Sequence, residues 1–130
     1  MPSSHAPDPA SLDGAIDVVE ETYEFMLAYA AQGRRTEEDG SSAGIRAYLE
    51  RTDAALKVIA AAQLEGAAAG DFLDVIRQDV AKAGAAIRFV LAQPSISSQI
   101  VDNLNASIHL RALLTDLFLL DEALKISGAP

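Results

Sequence analysis

The stretch SISSQIVDNLNASIHLRALLTDLFLLDEALKI, residues 95–126, decides the fold. On a helical wheel at roughly 100° per residue, its apolar side chains form two groups that point to different sides. The first group is Ile96, Ile100, Val101, Leu104 and Ile108, and the second is Leu110, Leu113, Leu114, Leu117, Phe118, Leu120 and Leu124. One straight helix cannot turn both groups to one core. The pattern therefore predicts either a break near residues 105–109 or an unbroken helix that buries two faces.

Both alternatives have consequences for the rest of the chain. Asn103, Asn105 and Ser107 are weak helix formers, which favours a bend. In an unbroken helix, Leu119 and its neighbours would need a second partner, either inside the bundle or across a dimer. Because a helix that is apolar most of the way round is central or intermolecular, we expect the other helices to pack around this one.

Composition supports an all-α class for the 130 residues. Alanine is common, aromatic residues are few, and no run alternates apolar with polar residues as a strand would. The expected architecture is an up-and-down four-helix bundle, or five helices if the last one breaks near residues 105–109. We expect a disordered tail at residues 1–7, a single domain at 8–126, and a frayed C-terminus at 127–130.

Local signals predict where the helices begin and end. Asp8 followed by Pro9 is typical of a helix start, and Gly33 of the end of that first helix. The second helix is expected at about residues 43–65, and the glycine- and alanine-rich run 66–70 as a flexible turn. We expect Asp71 to cap the third helix and Ser95 to cap the last. Gly84, inside the third helix, indicates a close contact between helices.

The charge distribution restricts the classes of partner. The net charge is -9, and the first thirty residues hold six acidic side chains and no Lys or Arg. Such a surface repels phosphate backbones and anionic lipid, so we expect no nucleic-acid or membrane partner. The N-terminus lacks the pattern of a signal peptide, and the apolar runs are shorter than a membrane span. These features predict a soluble, cytoplasmic protein.

Patterns that carry catalysis or bind metals are missing. The chain has no cysteine, which excludes disulfides, thiolate metal sites and cysteine nucleophiles. It also has no Glu-x-x-His motif for a di-iron site and no Gly-x-Ser-x-Gly nucleophile motif. His109 lacks the neighbours of a phosphotransfer histidine, so we interpret it as an ordinary polar residue. We therefore expect no cofactor and a protein that is not an enzyme.

Two kinds of functional site remain as hypotheses. The first is a surface that binds another protein, or a second copy of this chain, as an adaptor, a regulator or a chaperone-like factor would. Its candidate residues are Leu119, the aromatic residues Phe25 and Tyr29, and the acids Glu20 and Glu24 on the first helix. The second is an apolar pocket for a small molecule or a reaction near the helix break, with Asn105, His109 and Arg111 as its polar groups.

Residues 77–108 also suggest a distant relationship. Arg77 lies seven residues before Gly84, and the segments Ala92-Gln93-Pro94-Ser95 and Asn103-Leu104-Asn105-Ala106-Ser107-Ile108 follow. This pattern weakly resembles the flagellin-synthesis regulator family. The resemblance implies a regulatory or assembly-factor role, which we keep as an alternative function.

Overall fold

The computed structural model describes residues 8–37 and 44–127. It contains α1 (Leu12–Ala31), α2 (Ile45–Ala60), α3 (Ala67–Leu91), α4 (Ser98–Asn105) and α5 (Ile108–Ser127). The described residues form no strand, so the all-α prediction is confirmed. The expected tail at residues 1–7 and the last three residues lie outside the described part of the chain, whereas Ser127 ends α5.

The helices form a bundle in which sequence neighbours pack side by side. α1 packs against α2, and α2 packs against α3. Helices α4 and α5 together form the fourth side of the bundle. α4 packs on α1, while α5 packs mainly on α3 and less on α1. The expectation that the other helices surround the last one is therefore wrong. α5 is a peripheral helix with one side in the core and one side outward.

All five helices contribute to a single apolar core. Its fully buried side chains include Ile16, Leu49, Leu56, Ile59, Leu73, Ile76, Ile87, Val101, Leu113 and Leu117. Burying a side chain of this size stabilises the fold by roughly 1.5–3 kcal/mol. Because the core residues recur every three or four positions, each helix presents one stripe inward.

The predicted break in the last helical stretch is confirmed. α4 ends at Asn105, and α5 begins at Ile108. Ser107 stabilises the new start, because its hydroxyl accepts a hydrogen bond from the backbone N–H of His109 at 3.3 Å. The break lets Val101 and Leu113 face the same core although their stripes point to different sides on a continuous helix.

Two helix starts differ from the expected ones because of side-chain hydrogen bonds. At α1 the cap is Ser11, whose Oγ accepts from the N–H of Gly14 at 3.0 Å. Asp8 instead accepts from the N–H of Ala10 at 2.9 Å, which holds a turn before the helix. At α4 the cap is Ser97, while the hydroxyl of Ser95 accepts from the N–H of Glu37 at 3.2 Å.

The third helix begins earlier than expected. Residues 67–70 belong to α3, and the turn is confined to its N-cap Gly66, whose φ of 102° favours glycine. Alanine has the highest helix propensity, which explains why the alanine run extends the helix and leaves no cap at Asp71. The second helix is shorter than expected and ends at Ala60.

Gly84 makes room for a side chain of its own helix. A Cβ atom at this position would lie 3.0 Å from Nη1 of Arg88. That guanidinium crosses to α2, where it contacts Asp53 at 3.1 Å. The predicted close contact is therefore an ion pair between α3 and α2 that passes over the glycine.

Candidate interaction surface

The outward side of α5 carries a second apolar stripe. Its positions are Ile108, Ala112, Thr115, Leu119, Glu122 with Ala123, and Ile126, which recur every three or four residues. Ile108 is 74% exposed, Leu119 is 60% exposed and Ile126 is 81% exposed. Large apolar side chains exposed in a row on one helix are typical of a contact surface. We call this row the α5 outer stripe.

Two sequence expectations about α5 need correction. Ile108 and Phe118 were expected to face the core, but the structure exposes both. Ile108 is the first residue of α5, so the break changes its direction relative to Val101 and Leu104, which stay buried. Phe118 lies beside the buried Leu117 and Leu114 at the edge of the inward stripe. The exposure of Leu119 agrees with the surplus apolar face deduced from the sequence.

The first half of the outer stripe is hollow. A shallow depression of about 510 Å³ is lined by Ala106, Ile108, Arg111, Ala112, Thr115 and Asp116. The Thr115 hydroxyl donates a hydrogen bond to the backbone carbonyl of Arg111 at 2.9 Å. Because its hydroxyl already has this partner, Thr115 can leave its methyl group in an apolar contact. The depression and the stripe therefore form one continuous surface.

The predicted pocket residues do not line this depression together. It includes Arg111 but neither Asn105 nor His109. Asn105 is 8% exposed, and neither end of its amide has a hydrogen-bond partner among the described residues. His109 and Arg111 lie exposed on α5. The hypothesis of one apolar pocket around these three residues is therefore not supported by their positions.

The two aromatic candidates on α1 are structural. Tyr29 is 4% exposed, and its hydroxyl donates to the backbone carbonyl of Ile96 at 2.6 Å. The prediction that Tyr29 lies on an accessible surface was wrong, because the segment that leads into α4 covers this residue. Phe25 is half-buried, and its ring stacks on that of Tyr48 in α2, with 4.1 Å between centroids. The inward stripe of α1 is thus wider than the sequence pattern indicated.

The acidic candidates on α1 lie close to α5. Burial, together with the negative charges of Asp121 and Asp17, raises the pKa of Glu20. Burial and the charge of Asp13 likewise raise the pKa of Asp17. Lys125 lies nearby and contacts Asp121 at 3.2 Å. Glu24 is exposed. This side of the bundle therefore concentrates negative charge where α1 meets α5.

A carboxyl pair between α3 and α5 was not predicted. Burial, and the hydrogen bond and negative charge of Asp79, raise the pKa of Asp116 to about 7. Oδ2 of Asp116 is buried without a donor from the described residues when both groups are ionised. A proton shared between the two carboxyls supplies that hydrogen bond. No pattern in the sequence indicates the pair, because the two acids lie 37 positions apart on different helices.

A second polar cluster was also missed. Arg46, near the start of α2, donates to Oε1 of Glu37 at 2.7 Å and to the carbonyl oxygens of Leu91 and Gln93 at 2.7 and 3.0 Å. Glu37 also accepts from the backbone N–H of Ile96 at 2.8 Å. We call this group the Arg46 clamp. It ties the segment after α1 to α2 and to the connection between α3 and α4.

Another depression lies where the segment after α1 meets the start of α4. It has a volume of about 520 Å³, and its lining includes Arg34, Arg35, Ser98 and Asp102. Ser98 is engaged in the fold, because its hydroxyl donates to the carbonyl of Tyr29 at 2.7 Å and accepts from the N–H of Arg34 at 2.8 Å. The polar groups of Ser98 therefore serve the packing of α4 on α1.

Residues 8–37 and 44–127 contain neither a cluster of metal ligands nor a membrane-spanning helix. There, no three His, Asp or Glu side chains gather closely enough to bind a metal ion. None of the helices in that part of the chain has the length and apolar character needed to cross a membrane.

No protein family, curated protein or solved structure matches this chain. The resemblance of residues 77–108 to the flagellin-synthesis regulator family therefore gains no support. The α5 outer stripe stands as the surface best suited to a functional contact.

Proposed function

We propose that this protein acts by binding another polypeptide through the α5 outer stripe, as an adaptor or a regulator, and that it does not act as an enzyme. The observation that carries the proposal is the concentration of exposed apolar side chains. Of the seven large hydrophobic side chains that the described residues expose, three belong to the stripe, Ile108, Leu119 and Ile126, and a fourth, Phe118, lies beside it on α5.

The chemistry of the stripe supports a helical partner. Its exposed side chains recur at the three- and four-residue spacing that a partner helix would also present. At about 25 cal/mol per Å² of apolar surface removed from water, covering these side chains gives a substantial driving force for association. Arg111 beside the stripe and Glu122 at its edge carry opposite charges, so charge can set the direction in which a partner lies.

Site-specific photo-crosslinking tests the proposal. A photoreactive amino acid in place of Leu119 is expected to give one discrete covalent adduct, and the same residue in place of the exposed Lys57 on α2 is expected to give none. The adduct is identified by mass spectrometry, and the identified chain is then purified and titrated with the wild-type protein and with Leu119→Glu. A captured chain that binds both proteins equally well would refute the proposal.

A further inference from the structure

The residue spacing of the α5 outer stripe is the same when it is counted from either end. Its positions, 108, 112, 115, 119, 122 and 126, are separated by four, three, four, three and four residues. The midpoint is residue 117. When two copies of such a stripe run antiparallel about that midpoint, Ile108 faces Ile126, and Thr115 faces Leu119. An isologous dimer needs this kind of self-complementary surface.

The charges beside the stripe show the same symmetry. Arg111 lies beside the stripe and Glu122 lies at its edge; they are separated by eleven residues, or about three helical turns, so both are on the same side of the helix. They stand at nearly equal distances from residue 117, on opposite sides of it. In the antiparallel arrangement each Arg111 therefore lies next to Glu122 of the second copy, which forms two ion pairs. Neither residue forms a salt bridge within the described part of its own chain.

The shape of the surface is also self-complementary. The depression occupies the first half of the stripe, around Ala112 and Thr115. The second half carries Leu119 and Ile126, which project with 60% and 81% of their surfaces exposed. Antiparallel pairing places Leu119 of each copy over the depression of the other, while Ile126 meets Ile108 at its rim. Phe118, on the flank of Arg111, then lies near the two-fold axis.

From these observations we infer that the partner of the α5 outer stripe is a second copy of this chain, paired antiparallel through α5. This inference rests on the proposed function and names the occupant of the same surface. A parallel pair is disfavoured, because it places the Arg111 and Glu122 side chains of the two copies on opposite sides of the contact, where they form no ion pairs with each other. It also sets the hollow halves against each other.

The size of the contact indicates a moderate affinity. A helix of 20 residues is about 30 Å long, so a single pair of helices covers the low end of the area range of stable interfaces. We therefore expect a dissociation constant in the micromolar range. The dimer forms and dissociates as the protein concentration crosses that range.

Sedimentation velocity of the purified full chain is the first test. Between about 1 and 300 µM the expected result is a shift from monomer to dimer, and Leu119→Glu is expected to stay monomeric over the same range. A wild-type chain that stays monomeric, or a dimer that Leu119→Glu leaves intact, would overturn the inference. In either case the crosslinking experiment at residue 119 still decides whether the stripe binds a different protein.

Charge exchange tests the antiparallel register. Arg111→Glu and Glu122→Arg are each expected to weaken the dimer about tenfold, because each places like charges together. The double variant restores opposite charges and is expected to return within about threefold of wild type. Lys57→Glu on α2 is the matched control and should leave the dimer unchanged. A double variant that is weaker than both single variants would contradict the register.

Disulfide trapping tests the direction of pairing, since the chain has no cysteine of its own. Residues 108 and 126 are about 27 Å apart along α5 at 1.5 Å per residue. A mixture of Ile108→Cys and Ile126→Cys chains is expected to form the mixed disulfide on mild oxidation. Ile108→Cys alone is expected to stay unlinked at concentrations where the dimer is populated. Efficient linking of Ile108→Cys to itself would indicate a parallel pair and overturn the inference.

Discussion

The Arg46 clamp and the Asp79–Asp116 pair are two partly buried carboxyl sites with opposite surroundings. In the clamp, Glu37 receives donors from Arg46 and from the backbone N–H of Ile96. Between α3 and α5, Asp116 faces another acid and has no donor from the described residues unless a proton is shared. The difference shows that burial of a carboxyl stabilises the fold only where donors come with it.

The largest effect is expected from breaking the clamp. Arg46→Ala should lower the free energy of unfolding by about 2 kcal/mol, because it removes the donors to Oε2 of Glu37 and to two carbonyl oxygens. The value lies below that of a fully buried pair because the Arg46 side chain is 33% exposed. Urea unfolding measures it, with Lys57→Ala on the same helix as the control, expected to change stability by less than about 0.5 kcal/mol. A loss no larger than that of the control would mean that the clamp is not a stabilising element.

The second effect comes from pH and concerns the carboxyl pair. The pKa of Asp116 is raised from 3.8 to about 7 in the folded chain. Between these values the folded state holds a proton that the unfolded state has released, so stability falls as pH rises through this window. The slope is at most about 1.4 kcal/mol per pH unit for one group, and because Asp116 is partly exposed, solvent screening reduces the total loss between pH 5 and 8 to about 1–2 kcal/mol. The raised pKa values of Asp17 and Glu20 act in the same direction.

The variant Asp79→Asn distinguishes the contribution of the carboxyl pair to the pH dependence of stability from the contributions of the other acids. The variant removes the negative charge and supplies an amide donor toward Asp116, so it is expected to flatten the pH dependence and to raise stability at pH 8. An unchanged slope would show that the pair does not control it.

A smaller effect is expected where α4 meets α1. Tyr29→Phe removes the hydrogen bond to the carbonyl of Ile96 and should lower the free energy of unfolding by about 1 kcal/mol. Tyr23→Phe on the same helix is the control, because Tyr23 is only half-buried and its hydroxyl has no hydrogen bond to a described residue. Equal losses in the two variants would show that the Tyr29 hydrogen bond adds nothing specific.

The smallest effect on folding is expected at the outer stripe. Leu119→Ser should change the stability of the dilute monomer by less than about 0.5 kcal/mol, because Leu119 faces outward. Leu117→Ala, two positions earlier, should lower it by about 3 kcal/mol, because Leu117 is fully buried. Thermal unfolding at low protein concentration compares them. A strongly destabilised Leu119→Ser would place Leu119 in the core and remove the basis of the outer stripe.

Much of the fold could be predicted from periodicity. The jump between the stripes of Val101–Leu104 and Leu113–Leu117 indicated the break, and the exposure of Leu119 follows from the same pattern. The errors concentrate at helix ends, where the caps are Ser11 and Ser97 and not the predicted Asp8 and Ser95. There, several neighbouring side chains can satisfy the same backbone groups, and the choice depends on small differences in geometry.

The sites that depend on distant residues could not be predicted. Glu37 and Arg46 are close in sequence, but their partners Leu91, Gln93 and Ile96 follow only from the packing of α3 and α4 on the first two helices. Tyr29 appeared at the edge of a stripe, and the entry to α4 decided its burial. Single-helix patterns describe which side of a helix is apolar, but not which neighbour covers it.

Helix content, the stripes and the break were determined by local spacing and propensity, which are properties of the chain within a few turns. The apposition of Asp79 and Asp116, the Arg46 clamp and the uncovered outer side of α5 were decided when the helices packed. Their energies depend on burial and on partners far along the chain, and both exist only once the bundle has formed.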